Sequence, residues 1–238
     1  METVKKFELS NESVVVNGKK LYRIKSLVEI PHMISLGTLG GYVEKEENLS
    51  QEGMCWIFDT AKVSGDSHVS GDSQVSGDAV VEGNVKVCDK SKVTGNALLK
   101  GNVVVSGGSQ VNCNAEVEGD IEISGICLVT GNAKVSGNVK VTDKSQIADD
   151  AVVSGNVSVY GSCVIRDSAK VSGNVSVYGS AEVSGNSIVR DDVEIFDSAK
   201  VCDDAVVSEF AQIYGDALVC GKAEVKGCTI ISEGLHES

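Results

Sequence analysis

A six-residue unit repeats along most of this chain, from Cys55 to Gly234, without insertion or deletion. The repeat comprises thirty consecutive hexads. Every hexad carries Val, Ile or Leu at its third position, and most carry a small or apolar residue at the first. The fifth position is Gly in nineteen hexads and Asp in eight. A fixed short period constrains the fold more than any other sequence feature, because each repeat must be one structural unit.

Each hexad predicts a short β-strand followed by a corner. The apolar first and third positions, with a polar or variable residue between them, follow the alternation of a strand. Gly, Asn and Asp at the fifth and sixth positions tolerate positive φ angles and sharp bends. A helix is excluded, because a period of six fits no helical repeat and because Gly and β-branched residues dominate the hexads.

Three hexads are predicted to close one coil, because the inward first positions fall into three columns that each recur every eighteen residues. Matching residues should stack on successive coils, about 4.8 Å apart. The predicted fold is all-β: a triangular parallel β-solenoid of about ten coils. The three columns are mostly valine (Val85, Val103, Ile121, Val139, Val157, Val175, Val193), mostly alanine (Ala61, Ala79, Ala97, Ala115, Ala133, Ala151, Ala169) and mostly serine or cysteine (Ser73, Ser91, Ser109, Cys127, Ser145, Cys163).

The hexads resemble those of a known family. Units such as Val69-Ser70-Gly71-Asp72-Ser73-Gln74 are similar to the hexapeptide repeats of left-handed β-helix proteins. The resemblance implies the left-handed twist, which periodicity alone does not determine. The segment from Gly40 to Gly53, followed by Cys55-Trp56-Ile57, is also similar to uncharacterised YdcK-type hexapeptide-repeat proteins of bacteriophages and prophages. That resemblance implies a phage or prophage setting and brings no established activity.

The domain organisation follows from where the hexads begin and end. Residues 1–54 are predicted to form a small β-rich cap, since an open solenoid end exposes unpaired backbone. Within the cap, Asn17-Gly18 between two alternating segments predicts a hairpin, and residues 44–53 are predicted to form a charged connector. Residues 55–234 form the solenoid, and residues 235–238 are a tail.

The net charge of −13 has a structural explanation. All sixteen Asp residues lie at fifth or sixth hexad positions. Asp tolerates the sharp bends predicted there, so the corners explain why these residues are acidic. The acidity still argues against direct binding to nucleic acid or to an anionic membrane. With no predicted signal peptide and no apolar run long enough to span a bilayer, the expected location is the cytoplasm of a bacterial host cell.

The eight cysteines contain no C-x-x-C motif. Cys202 and Cys220 are eighteen residues apart, so they should stack on adjacent coils and point outward. A disulfide or a shared metal ion could form there, but two free thiols are expected in a reducing cytoplasm. No cofactor and no metal site are predicted.

The chain is predicted not to be an enzyme. Acyltransferases built on this type of repeat need a histidine base beside a neighbouring subunit, often with a loop extruded from the coils. His32, His68 and His236 are the three histidines, and they are far apart in sequence. The hexads also contain no insertion that could form such a loop.

In the hexads of the valine column, the outward fourth position carries Ser, Cys or Thr in the first half of the repeat and aromatic residues in the second half. Tyr160, Tyr178, Phe196 and Tyr214 occupy this position at intervals of eighteen residues. They are predicted to form an aromatic stripe, which would serve either as a subunit contact or as a platform for a flat ligand. Arg166 and Arg190 fall on the other two faces, so they point away from the stripe of their own subunit. In a symmetric assembly, one of these arginines from a neighbouring subunit could lie opposite the stripe.

These features lead to one functional hypothesis with two alternatives. The chain is expected to be a non-catalytic phage or prophage binding protein, a homotrimer that acts in counter-defence. It would sequester a small ligand, such as a nucleotide signal, in clefts between subunits, where aromatic rings stack the base and an arginine contacts the phosphate. The alternatives are a structural or protein-interaction module that docks its acidic prism onto a protein partner, and a hexapeptide-repeat acyltransferase.

Overall fold

A computed structural model describes residues 5–237, which form β-strands and one short 3-10 helix, Glu46–Asn48. None of the described residues belongs to a helix that is long and apolar enough to cross a bilayer. The strands are β1 Phe7–Val16, β2 Lys19–Ser26, β3 Leu39–Val43, β4 Trp56–Ile57, β5 Lys62–Gly65, β6 His68–Val69, β7 Gln74–Val75, β8 Val80–Val87, β9 Lys92–Val93, β10 Leu98–Val105, β11 Gln110–Val111, β12 Glu116–Ile123, β13 Leu128–Val129, β14 Lys134–Val141, β15 Gln146–Ile147, β16 Val152–Gly161, β17 Val164–Ile165, β18 Lys170–Gly179, β19 Glu182–Val183, β20 Ile188–Val189, β21 Glu194–Ile195, β22 Lys200–Val201, β23 Val206–Val207, β24 Gln212–Ile213, β25 Leu218–Cys220, β26 Glu224–Val225, β27 Ile230–Ile231 and β28 Leu235–Glu237.

The strands of the repeat stack in parallel, each against the strand eighteen residues further along the chain. Val139 pairs with Val157, and Val157 pairs with Val175. The predicted fold class is confirmed: the chain is a parallel β-solenoid of about eleven turns, an arrangement consistent with a left-handed β-helix. At roughly 4.8 Å per turn, the stack is about 53 Å long.

Three faces form the sides of the prism, and we name each by its inward first-position column. The alanine face and the valine face belong to a 17-stranded sheet that also includes the cap, and the serine face is an 11-stranded sheet. Long strands such as β14 run through the corner between the alanine and valine faces, whereas the strands of the serine face are two or three residues long. On each face, matching outward side chains stack at intervals of eighteen residues, so each face carries its own rows of side chains.

The core is a thin column of small and β-branched side chains. First-position and third-position residues of the hexads are buried; Val135 and Val153, for example, are 1% and 0% exposed. Each fully buried valine contributes roughly 1.5–3 kcal/mol relative to an exposed one. Because every coil contacts only its two neighbours, this stability is distributed along the stack.

The fifth-position residues make the corners by adopting positive φ angles. All eight Asp residues at this position do so: Asp59, Asp89, Asp143, Asp149, Asp167, Asp191, Asp197 and Asp203. Several of their carboxylates accept the backbone N–H one coil further on, as in Asp143 with Gly161 at 2.9 Å. Where the corner is Gly137, φ is +94° and a Cβ would lie 2.6 Å from the carbonyl oxygen of Gly155. Corner geometry therefore accounts for part of the acidity.

Asparagine side chains at the sixth position form hydrogen-bonded ladders along two corners. In the two ladders of four residues, each amide donates to the next side chain along the stack, over distances of 2.7–2.9 Å. Each ladder ends on an aspartate, whose ionised carboxylate can only accept. The ladders are Asn138–Asn156–Asn174–Asp192, Asn96–Asn114–Asn132–Asp150, Asn84–Asn102–Asp120 and Asn186–Asp204.

The N-terminal segment covers the first turn of the solenoid. β1 and β2 pair antiparallel around Asn17-Gly18, as the hairpin signal predicted, and β2 pairs antiparallel with β3. The ring of Phe7 meets that of Trp56 edge-on, with centroids 6.4 Å apart. The buried ammonium of Lys6 donates to the carbonyl oxygen of Cys55 at 3.0 Å. The hairpin is thereby joined to the top of the core.

The parallel stack extends beyond both predicted boundaries of the solenoid. Tyr42 pairs with Lys62, and the N–H of Ser50 donates to the carbonyl of Val69. Residues 44–53, predicted to be a connector, therefore form part of an additional turn. At the other end, β28 pairs in parallel with β25, so described residues of the predicted tail continue the serine face. Ser238 lies outside the described residues.

Candidate functional site

The aromatic ladder, formed by Tyr160, Tyr178, Phe196 and Tyr214, is the most distinctive outward surface of the valine face. Successive ring centroids are 4.9, 4.8 and 4.8 Å apart, and the ring planes are parallel to within 1°, 1° and 8°. The stacking predicted from the eighteen-residue spacing is present. Parallel rings at this separation attract one another, so the ladder holds its own side chains in register.

Because the rings are stacked, a ligand or a second subunit can contact only the ring edges and the ring faces at the two ends of the ladder. The inner ring faces cover one another, and the backbone spacing of about 4.8 Å leaves no room for a further ring between two rungs. The ring edges point away from the prism. Two ring faces are not covered by another ring: that of Tyr160 toward Thr142, and that of Tyr214 toward Ser232. Tyr160 is 40% exposed.

A row of smaller polar side chains lies beside the ladder at the second hexad positions. Ser158 and Ser176 pair on adjacent rungs, and the amide of Gln212 donates to Glu194 at 3.1 Å. Burial raises the pKa of the Tyr178 hydroxyl, and the nearby Glu194 carboxylate adds to this shift. The Tyr178 hydroxyl therefore keeps its proton at physiological pH. The ladder stands next to a short serine strip.

The end of the ladder at Tyr160 carries charges of both signs, since the carboxylate of Asp143 accepts the N–H of Gly161 there. Lys140 and Lys144 lie in the hexad one coil before Tyr160, and Lys144 is exposed. Lys140 is paired with Glu122, with its Nζ 3.1 Å from the carboxylate. Beyond Tyr214, the corner carries exposed Asp216. Sequence reasoning did not consider either lysine, although their hexad stacks directly on that of Tyr160.

The two arginines proposed from the sequence lie away from the ladder. Arg166 follows β17 on the serine face and makes ion pairs with Glu182 at 2.6 Å and Asp167 at 3.2 Å. Arg190 follows β20 on the alanine face, 3.2 Å from Asp191. Within one subunit neither guanidinium faces the rings. The pairs are exposed, so they contribute little to stability.

The three histidines lie in separate parts of the molecule. His32 is in the cap with a φ of 61°. His68 has its Nδ1 2.6 Å from the carbonyl oxygen of Glu47, and His236 lies in β28 with its Nε2 3.3 Å from that of Glu233. Ring nitrogens engaged with backbone carbonyls are typical of structural histidines. The arrangement offers no pair of histidines for shared chemistry.

A pair of thiols lies at the C-terminal end of the serine face. Cys202 and Cys220, together with Asp203, are the one group of metal-ligating side chains among residues 5–237 whose donor atoms all lie within 4.8 Å of one another. Burial raises the pKa of Cys202 to about 11, and the adjacent Cys220 adds to the shift. Cys220 is only 8% exposed, so the pair points outward less than predicted.

Two comparisons with known proteins bear on this geometry. No protein-family model matches the chain, and no curated protein matches it. The likeness to hexapeptide-repeat and YdcK-type proteins therefore remains a prediction from motifs. What the molecule does has to be inferred from its surfaces.

Proposed function

We propose that this chain is a non-catalytic binding protein whose contact surface is the aromatic ladder, and that three copies assemble through their valine faces. The observation that carries the proposal is the stack of four parallel rings with their edges directed outward. The same column carries Ser106, Ser124 and Thr142 on earlier coils, so the rings are confined to the C-terminal half of the face.

A self-contact suits this surface for two reasons. Ring edges carry partial positive charge and pack well against ring faces or apolar side chains of a partner. Because the rings already cover one another's faces, and Tyr160 is 40% exposed while the other three are half-buried, the ladder supplies only part of the approximately 800 Å² that each partner contributes to a stable interface. The neighbouring outward side chains of the valine face would supply the rest. Identical subunits usually close into symmetric rings, and a prism with three flat sides packs readily around an axis parallel to its length.

A second candidate function is sequestration of a small anionic ligand with a flat ring, such as a nucleotide. The face of Tyr160 that no other ring covers offers a place for a base to stack, and the exposed Lys144, in the hexad one coil before, could supply a cation for the phosphate. Within a trimer this end of the ladder would lie in a cleft between subunits. Together with the resemblance to phage proteins, this site supports a counter-defence role in which the protein removes a nucleotide signal.

Lys144 replaces Arg166 as the residue that we propose to bind the phosphate. Arg166 is already paired with two carboxylates on the serine face, so it would have to exchange those partners to meet a ligand on a neighbour. Lys144 is exposed in the hexad one coil before Tyr160 and makes no ion pair with the described residues. A phosphate contact from Lys144 would therefore not require the exchange of an ion-pair partner.

Native mass spectrometry of the protein, with and without a panel of nucleotides, tests both functions. The first proposal predicts three times the subunit mass of 24.8 kDa at micromolar concentration. The second predicts one nucleotide retained per subunit, with retention lost in Lys144→Glu. A trimer that retains no nucleotide removes the second function, and a monomer at all concentrations contradicts the first.

A further inference from the structure

We propose that Cys202, Cys220 and Asp203 form a binding site for a thiophilic metal ion such as Zn²⁺. The two cysteines occupy the same outward position on adjacent coils of the serine face, and Asp203 makes the corner directly after Cys202. Their two sulfur atoms and one carboxylate oxygen lie within 4.8 Å of one another. The site is on a different face from the aromatic ladder and does not depend on the proposed function.

The backbone register favours an ion over a disulfide. Val201 pairs with Val219, which places Cys202 and Cys220 one coil apart. Neighbouring strands are about 4.7–4.9 Å apart, which lies within the Cα separation of about 4.4–6.8 Å that a disulfide allows. In-register Cβ atoms at that spacing are, however, slightly farther apart than the usual separation of about 3.5–4.5 Å. Coils on both sides hold the strands at their normal spacing. Two thiolates bound to one Zn²⁺ at about 2.3 Å each are separated by roughly 3.8 Å, which side-chain rotation can reach without moving the backbone.

The third donor is already oriented by the fold. Asp203 has a φ of 56°, and one of its carboxylate oxygens accepts the N–H of Gly221 at 3.0 Å. A hydrogen bond of this kind fixes the direction of a ligating carboxylate and strengthens metal binding. Other corner aspartates, such as Asp167, make the same contact. Asp203 differs from them because two thiols lie beside it.

The ligand atoms determine which metal ions can bind at this site. Two soft sulfur ligands and one carboxylate favour Zn²⁺ or Cd²⁺ over Mg²⁺ and Ca²⁺, which take oxygen ligands. Three protein ligands leave one position of a tetrahedron open. Glu237 pairs with Cys220 one coil further on, so a second carboxylate lies next in the same column. Cys220 is buried while Asp203 is exposed, so an ion would enter from the corner side.

Titration of the reduced protein with Cd²⁺ tests the site, because Cd²⁺ bound to thiolates gives an ultraviolet charge-transfer band. We expect one Cd²⁺ per chain with both thiols contributing to the band. Cys202→Ser and Cys220→Ser should each lower the affinity at least 100-fold. Asp203→Asn, which keeps the corner residue and the acceptor for Gly221, should lower it about 10-fold. Cys88→Ser, at the same hexad position of the valine face, serves as the control and should leave binding unchanged.

Two results would overturn the proposal. One is a band that is absent, or equally strong in wild type, Cys202→Ser and Cys220→Ser. The other is a disulfide between Cys202 and Cys220 that persists in protein kept under reducing conditions, seen as a loss of two hydrogens in peptide mass spectra. Thermal unfolding of each variant shows that the coils remain intact, and Asp203→Asn keeps the test informative if a serine variant unfolds.

Discussion

Val153→Asp is expected to destabilise the protein by about 5 kcal/mol or more, whereas Val152→Asp should change its stability by no more than about 1 kcal/mol. The two residues are neighbours in β16 but point in opposite directions. Val153 is 0% exposed and pairs with Val135 and Val171 in the core. A carboxylate there has no partner and must either lose its hydration or unfold the coil.

Val152 provides a matched control because the substitution is identical. Its side chain lies on the outer surface, with Lys134 and Lys170 opposite it on the two adjacent coils. An aspartate between two lysines gains favourable cross-strand contacts, which offset the poor strand propensity of Asp. Urea unfolding and limited proteolysis measure the difference, and Val153→Asp should open the stack near residue 153. Equal losses of stability in the two variants would contradict the inward and outward assignment.

The double variant Tyr178→Ser/Phe196→Ser is expected to weaken self-association at least about 30-fold. Removing two aromatic contacts from the centre of an interface costs about 2 kcal/mol or more, which corresponds to that factor. Serine occupies the same column in earlier coils, at Ser106 and Ser124, so the fold itself should tolerate the change. Sedimentation velocity over a concentration series measures the shift.

Phe196→Tyr is the control for the ladder. It keeps the ring and matches the tyrosines on both neighbouring coils, so association should remain within about 3-fold of wild type. If the double variant assembles as strongly as wild type, the ladder is not the contact surface. In that case the four rings serve only to stabilise the stack, since each ring pair contributes roughly 0.5–1.5 kcal/mol.

The repeat made most of the architecture predictable from sequence. A period of six with columns at eighteen residues required Val139 to lie opposite Val157, and the structure has this pair. The stacking of Tyr160 on Tyr178 follows from the same spacing. These predictions succeed because each hexad obeys the same local rules and each coil repeats the one before it.

The two ends of the stack were not predictable in this way, since the period changes there. Val43 pairs with Val63 and Leu49 with Val69, an offset of twenty residues, and the offset becomes eighteen only at Trp56 and Gln74. At the C-terminal end, Leu218 pairs with Leu235, an offset of seventeen. A turn of irregular length continues the parallel backbone hydrogen bonding of the stack. Its sequence does not show the hexad pattern, so the pattern could not reveal it.

The surroundings of the candidate site depend on neighbours along the stack, which the sequence shows only when each outward column is followed through successive coils. Following the fourth position identified the aromatic ladder. Lys140 and Lys144 occupy the second and sixth positions, so they were not considered together with Tyr160, although their hexad stacks on its hexad. The asparagine ladders at the sixth position were missed for the same reason, although their spacing is equally regular.

Hydroxyl-radical footprinting over a range of protein concentrations is the most direct test of the claim that the aromatic ladder is the surface through which copies meet. Tyr22 and Tyr42 in the cap provide internal references. The account predicts that oxidation of Tyr160, Tyr178, Phe196 and Tyr214 is suppressed at concentrations where the protein assembles and recovers on dilution, while the two references stay constant. Rings that are oxidised equally at every concentration, in a protein that is nevertheless oligomeric, would contradict the claim.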